Sequence, residues 1–444
     1  MKILLSARKL LHSALALAAG LLIINDATAH PTNEVWVSDQ AIGSNAGTLA
    51  NPYDASTQTK FDALMANLTQ TTNMTIHFLP GTFTTAGSGS WTLKTGNRLL
   101  GSGIGITTIK LITNAALGAT TIKGANGGDY IEILDLTVDA NGSQAAGSPS
   151  QWTSGIAIKG EHCLIKRVEF KGVAGSWSAS RVSWAIHIQP YTSGGVAKPT
   201  GKGSLVTECV IKDFVGDWCH GVMMIGQGAI EKTMVVMKPY EQVGGLVSAF
   251  NGQTEQGLRI SDCVTEGGTY GVFMNTGAAT NLVIRGNSFL NTSIGISLEP
   301  VDYVQYNNDA ETVIIQDNIF ELNPSTTLNN VFGIASNPSD GAKNYIIHGN
   351  IVKWTSAKTG SNGTNIVYGI NLHKINGAVV YENKVDPAFF WYMPTVTNLN
   401  TWNNWDLTGN LIPAFSSAYQ PVEETAFSSR LRFAARRKIA RRRS

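Results

Sequence analysis

Lys159, His187 and Arg181 are the side chains best suited to moving a proton beside a carboxylate. A neutral imidazole takes the proton while the lysine and arginine offset the negative charge. Asp217 supplies a carboxylate in a neighbouring loop and completes the candidate catalytic set. Gln189, Asn275 and Glu299 offer hydrogen bonds for a bound molecule, and Trp177 and Trp218 offer flat apolar faces. Each has a plainer reading. His187 also suits an ordinary exposed sheet position, and tryptophans in a large β protein mostly serve packing.

These residues fall between repeats of one short pattern running from about Asn97 to Pro413. Its reference column reads Leu136, Val168, Cys209, Met234, Cys263, Asn287, Asn318, Asn350, Asn383, Asn410. Three residues earlier stands an aliphatic residue, from Ile133 and Ile165 to Val380 and Leu407, with Glu231 the exception. A second block reads Gly or Ala, aliphatic, anything, apolar: Gly155-Ile-Ala-Ile, Ala185-Ile-His-Ile, Gly221-Val-Met-Met, Gly271-Val-Phe-Met, Gly295-Ile-Ser-Leu, Gly369-Ile-Asn-Leu. Segments this short, alternating with period two, are strands with one face inward. Strands of constant length joined by elastic loops predict a solenoid whose rungs stack at about 4.8 Å. The asparagines suit a left-handed bend, each amide bonding to the next rung.

On these repeats the chain resembles the right-handed parallel β-helix proteins of the pectate-lyase-like superfamily. The opening Val37-Ser-Asp, the stretch Gly47-Thr-Leu-Ala-Asn-Pro-Tyr, the strand and turn Ile76-His-Phe-Leu-Pro-Gly-Thr-Phe and Gly101-Ser-Gly-Ile-Gly are similar to that family's entry and first rung. The resemblance implies an all-β fold. It puts the Gly-Ile-x-Ile strands in one sheet and the asparagine ladder at the turn between the other two. It also implies function on the exposed sheet and its flanking loops, commonly on polysaccharide, where Trp177 and Trp218 would stack on sugar rings. The scaffold itself hosts many activities.

Specific signatures are sparse. Cys219-His220-Gly221 resembles part of the polygalacturonase His-Gly motif, but the Asn-Thr-Asp run and paired Asp-Asp of those enzymes are absent, as is the pectate lyase Trp-Ile-Asp-His run. His220 shares its position with Trp184, Tyr270, Phe332 and Tyr368, which reads as an aromatic stack at the interior or corner of the coil. Calcium is implied by resemblance only, since Asp135, Asp139 and Asp262 lie on different rungs. Two readings stand: a lyase or hydrolase of an acidic or plant- or algal-type glycan, and a non-catalytic, adhesin-like β-helix that binds glycan or protein.

Alternation turns the residues between the aliphatics outward. One outward column is Ala157, His187, Met223, Val247, Phe273, Ser297, Ala335, Asn371; the next is Lys159, Gln189, Ile225, Ala249, Asn275, Glu299, Asn337, His373. Between the polar ends lies the apolar stripe Met223, Ile225, Val247, Phe273. A bare stripe of this kind is rare, so loops 171–183 and 190–203 are expected to cover it, leaving any site local to His187.

The chain's ends frame this body. Residues 1–29 read as a signal peptide: Lys2, Arg8 and Lys9, an apolar run from Leu10 to Ile24, and Ala27-Thr28-Ala29 for cleavage. Residues 30–96 form an entry segment with a capping helix over Gln58 to Gln70, residues 97–413 the coil, and 414–444 a basic tail. The formal charge of +2 hides an asymmetry: the leader carries +2, residues 421–444 carry +6, and residues 30–420 carry −6. An acidic body argues against nucleic acid; the tail suits an anionic surface or a solvated end. No later segment is long and apolar enough to span a bilayer, so the expected location is secreted, periplasmic or cell-surface. Cys163, Cys209, Cys219 and Cys263 show no metal spacing. Cys209 and Cys263, two rungs apart, are too distant for a disulfide.

Overall fold

The computed structural model describes residues 33–412 apart from 42–44, 145–151, 177, 190, 194–195, 199–200, 239–243, 247, 251–254, 276–278, 299–310, 324–329, 337–341, 355–365, 387–389 and 394. The strands pair almost entirely in parallel, each with its equivalent one turn later, and the described residues form a parallel β-helix. Ile133, Ile165, Val206, Ile230, Ile260, Ile284, Ile315, Ile347 and Val380 follow one another in register along one such ladder. All are fully buried. Their side chains make the continuous apolar axis. A right-handed winding is the hand parallel crossovers take.

The coil begins before residue 97. Asn33–Ser38 pairs with Met74–Phe78, which pairs with Arg98–Leu100. The helix Gln58–Leu68 starts at Thr57, whose hydroxyl accepts from the Lys60 amide. Phe61 and Met65 seal it onto the core, with Phe61 against Phe78, Phe83 and Trp91. The buried Asp62 on this helix accepts from the Thr85 hydroxyl, the Ala86 amide and the Trp91 indole. A buried carboxylate so supplied is satisfied.

The corner between the second and third strands of each turn carries the ladder. Asn287, Asn318, Asn350, Asn383 and Asn404 are buried, and each Oδ1 after the first accepts the backbone N–H and Nδ2 of the asparagine one rung earlier, at 2.9–3.1 Å. Two expected members are not in the column, one displaced by a single residue and the other by six. Asn404 takes the last place, while the Asn410 amide bonds Asp406 instead. Thr233 takes the place given to Met234, which is 36% exposed; its aliphatic partner is then Ile230, and Glu231 is no exception. The left-handed residue is also the one before the asparagine: Asp317, Glu382 and Asn403 have φ of 56°, 55° and 50°, and Gly286 and Gly349 serve other rungs. The bend occurs at that residue, and the asparagine amide fills its inside.

Cysteine substitutes for asparagine in the earlier rungs. The Cys209 thiol donates to Ile165 O and Thr207 O, and Cys263 to Ile230 O and Ser261 O. These carbonyls correspond to those that Asn350 Nδ2 meets at Ile315 and His348. All four cysteines are buried and free.

Candidate functional site

The Gly-Ile-x-Ile strands form sheets of their own. Ala119–Asn126, Thr153–Lys159, Ser183–Ile188 and Cys219–Met224 lie in one; Ser248–Phe250, Tyr270–Asn275, Ile294–Leu298, Asn330–Ser336, Ile366–Leu372 and Phe390–Tyr392 lie in another. Ile156, Ile158, Ile186, Ile188, Val222 and Met224 join the core. The residues between them face out. His187 stands in register between Ala157 and Met223.

His187 is not the exposed sheet residue that alternation alone suggests. It is 9% exposed, and its ring stacks on Trp184 at 4.4 Å. Burial, with the charge of Lys159 nearby, pushes its imidazole down to about 3. It is therefore neutral at ordinary pH. His220, fully buried, is pushed down to about 3 by burial and by neighbouring His187.

The row holding His220 runs outside the main core. Trp184 registers with His220, His220 and Tyr270 each bridge Gly244, and the row continues through Ile294, Phe332 and Tyr368. Ile294, Phe332 and Tyr368 form an apolar cluster of their own, with Tyr270 packed against it. The interior reading of this row fails because the Gly or Ala that follows turns its own α-carbon inward. A Cβ on Gly271 or Gly295 would collide with core Phe289 or Phe320. Alternation is broken at that one step, so Trp184 and His187 share a face three residues apart.

Arg181 bridges back to Ser176 through its backbone, and its guanidinium lies 5.6 Å from the ring centre of Trp152. Its buried Nε has no hydrogen-bond partner among the described residues. Asp217 and Trp218 lie on the adjacent turn, where the Asp217 amide donates to Gly175 O. Lys159 is half-buried in register with Asn126. The Gln189 backbone N–H donates to Ile158 O, which sets the residue beside Lys159. The structure thus brings Lys159, His187 and Gln189 together on one face and puts Arg181, Asp217 and Trp218 on the loops at the strands' entry. Asn275 ends a strand on a later turn. Trp177 and Glu299 lie outside the described residues.

The apolar stripe is covered: Met223, Ile225 and Phe273 are buried, Phe273 at 8% exposure. Its register differs from expectation, since Phe273 pairs with Ser248; Val247 lies outside the described residues. Of loop 190–203, Gly201 closes on the Ile225 backbone, where a Cβ would collide with Ile225 O. Two nearby residues escaped the sequence reading. Lys123 is in register with Ala157 on the same outward row, and Trp152 carries Arg181. Lys123 lies on a strand without the Gly-Ile-x-Ile spacing, so it could not be aligned, and Trp152 lies ahead of the Gly155-Ile-Ala-Ile block, outside the repeated pattern. Among the described residues no cluster of three or more His, Cys, Asp or Glu converges as a metal site, and no helix is long and apolar enough to cross a membrane.

No family model and no curated protein matches the sequence. Solved structures similar to this chain include the A-module of Azotobacter vinelandii mannuronan C-5 epimerase AlgE4, at 14% identity over 85% of this chain and 98% of that one, with a TM-score of 0.33. Alginate lyase from Paenibacillus sp. matches at 12% identity over 76% and 97%, with a TM-score of 0.36. The Streptococcus pneumoniae surface adhesin PfbA matches at 14% over 79% and 96%, with a TM-score of 0.40. The strand pairing makes this chain a parallel β-helix, and the likeness reaches no further than that.

Proposed function

We propose that this is an exported β-helix protein that acts on an acidic polysaccharide, with its chemistry local to His187. One observation carries the reading: a neutral, covered imidazole beside Lys159, with Arg181 on the neighbouring loop keeping a buried Nε unsatisfied. Among the described residues the groups shown to act on that imidazole, Lys159 and Trp184, carry no negative charge, and a uronate ring supplies one. Opposite charge favours the protonated imidazole, so binding would raise the His187 pKa and make it a base only when substrate is present. In the lyase form His187 removes the proton next to the carboxylate. The C–H electron pair forms the new double bond, and the glycosidic oxygen leaves with its pair and takes a proton from solvent or an acid. Lys159 and Arg181 hold the carboxylate. Asp217 serves as the second titratable group, or as the general acid in a hydrolase. Gln189, Asn275, Glu299, Trp177 and Trp218 are the proposed subsite residues.

The burial of His187 under Trp184 favours a second reading, a non-catalytic glycan-binding coil. A panel of acidic and neutral polymers separates them. New reducing ends or unsaturated ends, lost in His187→Ala, support the enzyme. Retention of polymer without turnover, unchanged in His187→Ala, supports the binding protein.

A further inference from the structure

We propose a second carbohydrate-binding surface, on a different sheet and near the C-terminal end of the coil, that grips the polymer away from His187. It rests on the polysaccharide reading above. Three successive strands, Ala342–His348, Ile375–Tyr381 and Thr397–Trp402, pair in parallel there. Inward they place Tyr345, Ala378 and Leu399, then Ile347, Val380 and Thr401. Outward they leave a groove of about 440 Å³ whose lining includes Lys343, Asn344, Asn376, Val379, Asn398 and Asn400, with no carboxylate among the described lining residues.

Along one side of this face runs a stack of rings. His348 and Tyr381 lie 4.7 Å apart at 7°, and Tyr381 and Trp402 lie 4.7 Å apart at 12°. Each ring covers one face of the next. Among the described residues Trp402 is last in the stack, and it is 44% exposed. On its own strand Asn398, Asn400 and Trp402 are all exposed, at alternate residues about 6.6 Å apart. An indole face in line with spaced amides matches a pyranose chain: the apolar face of one ring stacks on the indole, and hydroxyls of its neighbours bond the amides, which both donate and accept. Gly377 keeps the groove floor low, since a Cβ there would approach Asn344 Oδ1.

The test is retardation of the full chain in gels cast with each polymer of the panel, comparing wild type with Trp402→Ala, Asn400→Ala and His187→Ala. Thermal melts run in parallel report folding. We expect Trp402→Ala to weaken retention by about tenfold and Asn400→Ala by about threefold, with turnover of short oligosaccharides unchanged in both. Asn400 is exposed, so its variant remains informative if loss of the Trp402 ring destabilises the last rungs. Wild-type retention that both variants preserve overturns this surface and leaves the His187 reading intact. A wild-type chain retained by no polymer likewise overturns this surface, whereas the His187 reading falls separately, if no polymer of the panel gains new ends.

Discussion

Asn350 Oδ1 accepts two hydrogen bonds from Asn318, one from its backbone N–H and one from Nδ2, both at 3.0 Å. Asn318 repeats the arrangement towards Asn287, and its Nδ2 also reaches Ile284 O. Every link is fully buried. Replacing Asn318 by Leu would strand polar groups on both neighbours, so the expected loss is about 3 kcal/mol, the upper part of the range for unsatisfied buried groups. Urea melts of the two proteins measure it. A midpoint close to wild type would mean that the ladder is not the corner's main polar support.

The histidines make stability depend on pH. In the unfolded chain an imidazole titrates near 6.5, whereas His187 and His220 stay neutral in the fold down to about 3. Their folded values are depressed. The stability from burying them neutral is therefore fully present above about pH 6.5 and is lost as pH falls towards 3. Within that window each adds a slope of about 1.4 kcal/mol per pH unit. Denaturation midpoints should drop on acidification from neutral pH, and His220→Phe should flatten the slope. A wild-type midpoint that holds constant across the window contradicts the burial described.

The thiols should be inert. Burial pushes Cys163, Cys209, Cys219 and Cys263 up to about 12, and reactivity needs the thiolate. No thiol should react with a disulfide reagent in the native protein at mildly alkaline pH, and all four should react after unfolding. Rapid native labelling of any of them would show that its stretch of the coil is open.

Arg181 should act in binding and His187 in turnover. Arg181→Ala is expected to raise KM about tenfold with a smaller change in kcat. His187→Ala should lower kcat by about a hundredfold or more, the usual contribution of a positioned base. Steady-state kinetics on the polymer identified in the panel decide it. An equal effect of both variants on KM alone would assign His187 to binding.

The coil was legible because its signal is redundant: an aliphatic residue on one strand of each rung and asparagines at one corner survive irregular loops. The misplacements at Met234 and Asn410 arose where the loop before the column changed length, so spacing alone could not choose between Thr233 and Met234 or between Asn404 and Asn410. The outward face was legible wherever strict alternation held, at His187 and Lys159. It failed at Trp184 and His220, because a small residue that faces inward resets the parity and nothing local marks the reset. The burial of His187 was not legible, since it involves the Trp184 ring, which strict alternation puts on the opposite face.

Catalysis at His187 is read from the mass of the oligosaccharides released from an acidic polymer by the full chain, with His187→Ala alongside. Chemistry at His187 gives shortened products, unsaturated at one end if the bond breaks by elimination and carrying added water if by hydrolysis, and none above background from His187→Ala. Products released equally by both proteins would contradict a site at His187, and intact polymer with the wild type would contradict catalysis altogether.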